Sequence, residues 1–287
     1  MKTLDIKKSA NNKSYAVATA KRLGEEYYIG LCSKKYHAHI LTSEEIVILD
    51  ILLCWKQLVD SDSSETVINL ADIDWLRNRH KKNKNHIAKA HETYLKIFNT
   101  LGTLNFICTG EEIVNISECE EQYPLLKYKL NYCSGKVIGI TYTLGRLDVM
   151  LNKHKQITTL DCNVFKYRLN EDMKYRLLRY LVTSIFMNQI KSKTFVRTHR
   201  SILRGITYIV AEDGAVATSY YDSIINKQYI HKYLSRYITR LEDVLSMLKE
   251  SNFIKDYTIE RITNRQELIT GCGKVEIVTN LSKKKKR

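Results

Sequence analysis

The same order of segments recurs twice along this chain, and that repetition limits what it can fold into more than any single motif does. In the first pass, "TSEEIVILDILLCWKQLVD" is an apolar helical run with Thr42 or Ser43 as N-cap and Glu44 and Glu45 in its first turn. "TVINL" is short and β-branched. "ADIDWLRNRHKKNKNHIAKAHETYLKIFNTLGTLNFI" reads as two helices parted by a polar turn near Lys82 to Lys84. The second of these sets Ile87, Ala90, Tyr94, Ile97, Phe98 and Leu101 on one face, and Gly102 is placed to end it. "TLNFICTGEEIVNIS" predicts a hairpin turning at Gly110. In the second pass, "NEDMKYRLLRYLVTSIFMNQIKSK" turns Met173, Leu177, Leu178, Leu181, Ile185 and Ile190 inward. "TFV" is a short strand, and "RTHRSILRGI" follows as a helix. "KQYIHKYLSRYITRLEDVLSMLKESNFI" then holds Ile230, Leu234, Tyr237, Ile238, Leu241, Leu245 and Leu248 in register. "IKDYTIERITNRQELITGCGKVEIVTNL" predicts a second hairpin with extra residues in its loop.

Helix, short strand, helix, turn, helix, hairpin is the order of a winged helix-turn-helix. That module lays its third helix in the major groove of DNA and its hairpin against the flanking backbone. The expected fold class is therefore α+β: two winged helix-turn-helix domains in tandem, pseudo-duplicated, mostly helical with small hairpin wings. Their expected extents are 1–135 and 136–287, the second ending in a basic tail. One proline and eleven glycines fit helices with short connections better than a loop-rich or all-β chain.

A formal charge of +15 calls for a polyanionic partner. The excess is uneven: residues 1–160 carry net +4 and residues 161–287 carry net +11, part of it in the terminal "KKKKR". No stretch approaches the roughly 18 apolar residues that span a bilayer, and "MKTLDIKKSANNK" lacks a signal-peptide core, so a cytoplasmic protein with no membrane partner is expected. The seven cysteines are widely spaced without a C-x-x-C pair, a pattern of reduced thiols rather than of a disulfide framework or a zinc site.

The candidate DNA contacts sit where such a module would place them. In the first half these are Arg77, Arg79, Lys81, Lys82, Lys84 and Lys89, with Asn85 and His86 at the start of the third helix. Phosphates want flexible cations; base edges want Arg, Asn or Gln near a helix N-terminus. In the second half, Lys232, Arg236 and Arg240 stack at four-residue spacing, away from the leucine register, with Tyr229 and His231 in the first turn. Glu242 and Asp243 are placed to pair locally with this basic face. Upstream, Arg197, His199, Arg200 and Arg204 decorate the preceding helix, and Lys255, Arg261 and Arg265 are candidate phosphate contacts of the second hairpin.

Enzyme signatures are weaker. His37-Ala38-His39 resembles the metal-holding pair of His-x-His DNA nickases, with Tyr94 as nucleophile. Such a pair needs a central strand, however, whereas "LTSEE" starts a helix at once, and Tyr94 falls on the inward helix face. No G-x-x-x-x-G-K-[ST] phosphate loop is present. The expectation is a protein that is not an enzyme and takes no cofactor or metal.

Two stretches resemble theta-type plasmid replication initiators, the Rep proteins. "FKYRLNEDMKYRLLRYLVTSI", residues 165–185, is similar to the segment by which those proteins enter their second winged helix. "TSEEIVILDILL" with "NKNHIAKAHETYLKIFNTL" is similar in order to their first. The resemblance implies helices beginning near Asn83 and Lys227 that enter successive major grooves of repeated origin sites in double-stranded DNA. It implies monomers on direct repeats and a homodimer on an inverted repeat that represses its own promoter. It also implies recruitment of host replication proteins, with no bond broken by this chain. The main alternative is a winged-helix transcriptional regulator; the nickase is a third.

Overall fold

The structure is a computed structural model. It describes residues 14–18, 28–32, 35–38, 42–59, 65–79, 82–106, 125–144, 157–161, 165, 172–189, 193–209 and 217–280. The chain divides into two units, Met1–Arg168 and Leu169–Arg287, and the observed architecture is mixed α+β. Among the described residues no helix is long and apolar enough to cross a membrane.

The first unit opens with strands β1 (Ser14–Ala18), β2 (Tyr28–Cys32) and β3 (Lys35–Ala38). Helix α1 (Ser43–Val59) follows. Thr42 Oγ1 accepts from the Glu45 amide at 3.3 Å while the Glu45 carboxylate accepts from the Thr42 amide at 2.7 Å, a reciprocal cap that fixes where the helix starts. From Ile46 to Trp55 every residue is buried, so α1 runs through the core with no wet stripe. Strand β4 (Thr66–Asn69) leads directly into α2 (Leu70–Leu76), a turn, and α3 (Lys84–Thr103). Of the predicted α3 face, Tyr94, Ile97, Phe98 and Leu101 are buried, whereas Ile87 and Ala90 are only half-buried. Gly102 lies within the last turn of α3 rather than after it, and a Cβ there would stand 3.0 Å from the Tyr128 ring.

The first hairpin departs from the expectation. Strand β5 (Leu104–Phe106) pairs antiparallel with β2, more than seventy residues earlier, giving the order β3-β2-β5; Gly110 lies outside the described residues. The hairpin is instead β6 (Lys127–Cys133) and β7 (Lys136–Thr143). Its two-residue loop, Ser134-Gly135, has φ of 49° and 75°. Paired left-handed residues match the twist of the strands they join, and glycine adopts that conformation without a Cβ penalty. Strand β7 also pairs with β4, giving the order β4-β7-β6. Residues 136–143 thus belong with the first unit: the expected boundary after 135 would cut this turn, and the division falls after Arg168. Tyr142 Oη donates to the Leu52 carbonyl at 2.7 Å and Trp55 Nε1 to that of Val67 at 2.8 Å, fastening the sheet to α1. Strand β8 (Ile157–Asp161) pairs with β1.

The second unit begins with α4 (Asp172–Gln189), which buries Met173, Leu177, Leu178, Leu181 and Ile185 as its register predicts; Ile190 lies outside the described residues. Then come β9 (Thr194–Thr198) and α5 (His199–Arg204), the latter capped by Thr198 Oγ1 accepting from the Ser201 amide. A strand pair, β10 (Thr207–Ile209) with β11 (Ala217–Ser219), and a short α6 (Tyr220–Ile225) precede α7 (Ile230–Glu250). Every residue of the predicted α7 register is buried, Val244 with them. The closing hairpin is β12 (Ile254–Ile259) and β13 (Lys274–Thr279), and its extra residues form α8 (Arg265–Thr270).

One topology therefore occurs in both units. The strand ahead of the short helix pairs with the last strand of the hairpin, β4 with β7 and β9 with β13, which gives β4-β7-β6 and β9-β13-β12. The second unit adds β10, β11, α6 and α8 to that plan.

Candidate nucleic-acid interface

In the first unit the start of α3 is set by Asn83, whose Oδ1 accepts from the His86 amide at 3.0 Å. Around this cap Lys82, Lys84, Asn85, His86 and Lys89 are all exposed. Lys81 lies outside the described residues. The helix dipole and these cations make the N-terminal turns of α3 electropositive.

Arg77 and Arg79 have other partners. The Arg77 guanidinium, only 8% exposed, forms a two-pronged ion pair with Glu44 of α1, its Nη2 2.9 Å from Oε1 and its Nη1 against Oε2. Burial alone would raise the Glu44 carboxyl; the hydrogen bond and charge of Arg77, with the charge of Arg79, outweigh it and hold the group below its ordinary value. Arg79 is 3.7 Å from the same carboxylate, and its Nη1 donates to Tyr94 Oη at 3.4 Å. Tyr94 Oη in turn donates to Asp74 Oδ1 at 3.0 Å, and His91 Nε2 donates to Asp74 Oδ2 at 2.6 Å. This chain of polar contacts locks α1, α2 and α3 together. Burial, first, and the Asp74 carboxylate push the Tyr94 hydroxyl up to about 12 against the pull of Arg77 and Arg79. Tyr94 is thus a core residue, in the inward position its register predicts. His37 lies on β3, an edge strand of its sheet, and His39 is outside the described residues.

In the second unit Lys232 and Arg236 are exposed on α7. The Lys232 ammonium sits 4.9 Å above the ring of Tyr229, itself 54% exposed at the N-cap. Arg240 is half-buried, its Nη1 3.7 Å from Met173 Sδ. Glu242 and Asp243 take partners distant in sequence, Arg261 at 2.8 Å and Lys174 at 2.6 Å. Arg265 donates to the Lys227 carbonyl at 3.1 Å and Arg200 Nη1 to that of Ile269 at 2.8 Å, so both brace α8 against its neighbours. Arg204 is exposed and lies 4.7 Å above the Tyr221 ring; Arg197 is exposed over Phe195 at 4.6 Å; Lys255 is exposed on β12.

His199 of this set faces inward. It is fully buried, with its Nε2 donating to the Glu260 carbonyl at 2.7 Å and its Nδ1 accepting from Tyr237 Oη at 3.2 Å, the pattern of a neutral ring. Burial pushes its pKa down, more than the Glu260 contacts raise it. The unfolded chain therefore takes up a proton below roughly 6.5 that the folded ring resists, and stability falls as pH falls through that value. Wild-type protein is expected to lose melting temperature between pH 7.5 and 5.5 more steeply than His199→Gln. Equal slopes in thermal melts of the two would assign the loss to other groups.

The β6–β7 hairpin falls in the stretch "LLKYKLNYCSGKVIGITYTLGRLDVMLNKHKQITTLDCNVFKYRL", which reads as two or three strands and a short helix, and it carries cations that are not among the predicted contacts. Lys127, Lys129, Lys136 and a 62% exposed Tyr132 lie on it. The signal was present in "YKLNYCSGKVIGI": alternating residues on either side of a Ser-Gly pair.

These features define a basic α+β protein of two units, in each of which one long helix, α3 or α7, exposes a polar face. No protein-family model matches the chain, and no curated protein matches it. Among solved structures, the crystal structure of selenomethionine derivatives of domains 2 and 3 of RctB aligns with a TM-score of 0.48 at 12% identity, covering 92% of this chain and 95% of that one. At that score the likeness carries no argument.

Proposed function

We propose that the chain is a sequence-specific double-stranded DNA-binding protein built from two winged helix-turn-helix units. It initiates plasmid replication at repeated origin sites, as the sequence resemblance to theta-type initiators implies. In this reading α3 and α7 each enter a major groove, and Lys82, Lys84, Lys89, Lys232, Arg236 and Lys255 hold phosphates. The chain breaks no bond and needs no cofactor; it acts by distorting DNA and recruiting host replication proteins, in the cytoplasm, with a homodimer repressing its own promoter. The observation that carries the reading is the topology found in both units, each time with a long helix ahead of the hairpin whose exposed N-terminal half is basic.

The test is selection from a random duplex pool at physiological salt, which should recover a bipartite motif with two half-sites. Sequence-blind recovery would remove the initiator reading. On the recovered site, Lys232→Ala/Arg236→Ala should weaken binding and flatten the plot of log K against log salt by about two, roughly 0.9 per lost phosphate contact. An unchanged slope takes α7 out of the interface.

A further inference from the structure

Glu92 is the only acid of α3, and it stands on the ridge that the proposed function assigns to DNA. Asn85, Lys89, Glu92, Lys96 and Asn99 recur at three- and four-residue spacing, opposite the buried Tyr94, Ile97, Phe98 and Leu101, and all five are exposed. Two of the three acids of α7 differ, Glu242 being paired with Arg261 and Asp243 with Lys174; the third, Glu250, is the last residue of the helix, at the end away from its basic turns. Among the described residues Glu92 forms no ion pair, although Lys89 and Lys96 lie one turn to either side.

A carboxylate facing a phosphate backbone is repelled, so its place on this ridge needs an attractive counterpart. The major groove offers hydrogen-bond donors only at cytosine N4 and adenine N6. An ionised carboxylate accepts and cannot donate. The adenine amino group lies between two acceptors, its own N7 and the O4 of the paired thymine, which suits the amide of Asn or Gln and repels a carboxylate; cytosine N4 has an acceptor, the guanine O6, on one side only and the C5–H edge on the other. We infer that Glu92 is a specificity-determining residue of the first unit that accepts a hydrogen bond from a cytosine amino group in its half-site. Lys89 and Lys96 offset its charge against the flanking phosphates. The inference rests on the reading of α3 as a groove-entering helix.

The experiment uses the full chain and the motif selected by the wild-type protein, with each position of the site changed to every other base and affinities measured by fluorescence anisotropy. Wild type should prefer cytosine at one position of the first half-site by roughly 10-fold. Glu92→Gln should bring that preference below about 3-fold or turn it toward adenine, with the other positions unaltered. Glu92→Ala should abolish it without acquiring another. Tighter binding by both variants to every sequence, with all preferences intact, would mean that Glu92 merely repels phosphate and would overturn the inference while leaving the function standing. Failure of wild type to select any motif removes both. The side chain is exposed, so matching melting temperatures of the three proteins are expected and confirm that the fold is common to them.

Discussion

Gly273→Ala is expected to lower the stability of the second unit by about 3 kcal/mol, while Gly271→Ala, two residues earlier, costs about 1 kcal/mol. The two glycines share a backbone conformation, with φ of 75° at Gly271 and 76° at Gly273. An L-residue pays a steric cost of roughly 1 kcal/mol there. Their surroundings differ. A Cβ on Gly271 meets nothing within 4 Å, whereas one on Gly273 would stand 2.4 Å from Ile262 Cγ2, 2.9 Å from His199 Cδ2 and 3.1 Å from the Glu260 carbonyl. Relief of that crowding must move His199, whose amide donates to the Gly273 carbonyl at 3.3 Å and whose ring bridges Tyr237 and Glu260. In thermal melts of the full chain, Gly273→Ala should drop a transition by more than about 10 °C and Gly271→Ala by well under that. Hydrogen exchange should place the loss in β13 and α5. Equal shifts for the two variants would mean that the loop relaxes and that the contacts around Gly273 contribute nothing.

How far the sequence reaches is seen by setting α7 beside the first hairpin. The α7 register from Ile230 to Leu248 could be read directly because helix periodicity is local, and each of its positions is buried. The hairpin was misplaced because "LNF" is strand-like whichever partner it takes. Its partner, β2, lies outside any window that periodicity can examine. The candidate site divides along the same line. Exposure of Lys84, Asn85, Lys89, Lys232 and Arg236 follows from helical phase once the apolar face is known. The fate of Arg77 does not, because the acid that takes it up, Glu44, is 33 residues earlier and meets it only through packing of α1 on α2. A run of cations in a sequence gives their number and spacing; it does not separate those that bind each other's helices from those left for a ligand.

The largest effect in the first unit is expected at Asp74. Its carboxylate, 2% exposed, accepts from Tyr94 Oη and His91 Nε2, one oxygen to each, and so joins the short α2 to the long α3. Asp74→Ala removes both acceptors and leaves the buried Tyr94 hydroxyl with only the long contact to Arg79. Stranding buried polar groups costs about 1–3 kcal/mol each, and breaking a buried pair about 3–5 kcal/mol; with His91 partly solvated, about 3 kcal/mol is expected. Asp74→Asn keeps an acceptor for Tyr94 and should recover about half of it. Tyr94→Phe removes a single donor and should cost about 1 kcal/mol. Because Phe no longer needs the carboxylate, Asp74→Ala made in the Tyr94→Phe background should cost less than it does alone, by 1 kcal/mol or more in urea unfolding. Strict additivity, within about 0.5 kcal/mol, would mean that carboxylate and hydroxyl act separately. In the proposed reading the same contact bears on function, since the angle of α3 against α2 would decide which of its exposed residues reach a groove. Asp74→Asn, folded but with one link changed, is therefore expected to lose affinity for the selected site by more than its affinity for random duplex. Parallel losses on both would restrict Asp74 to stability.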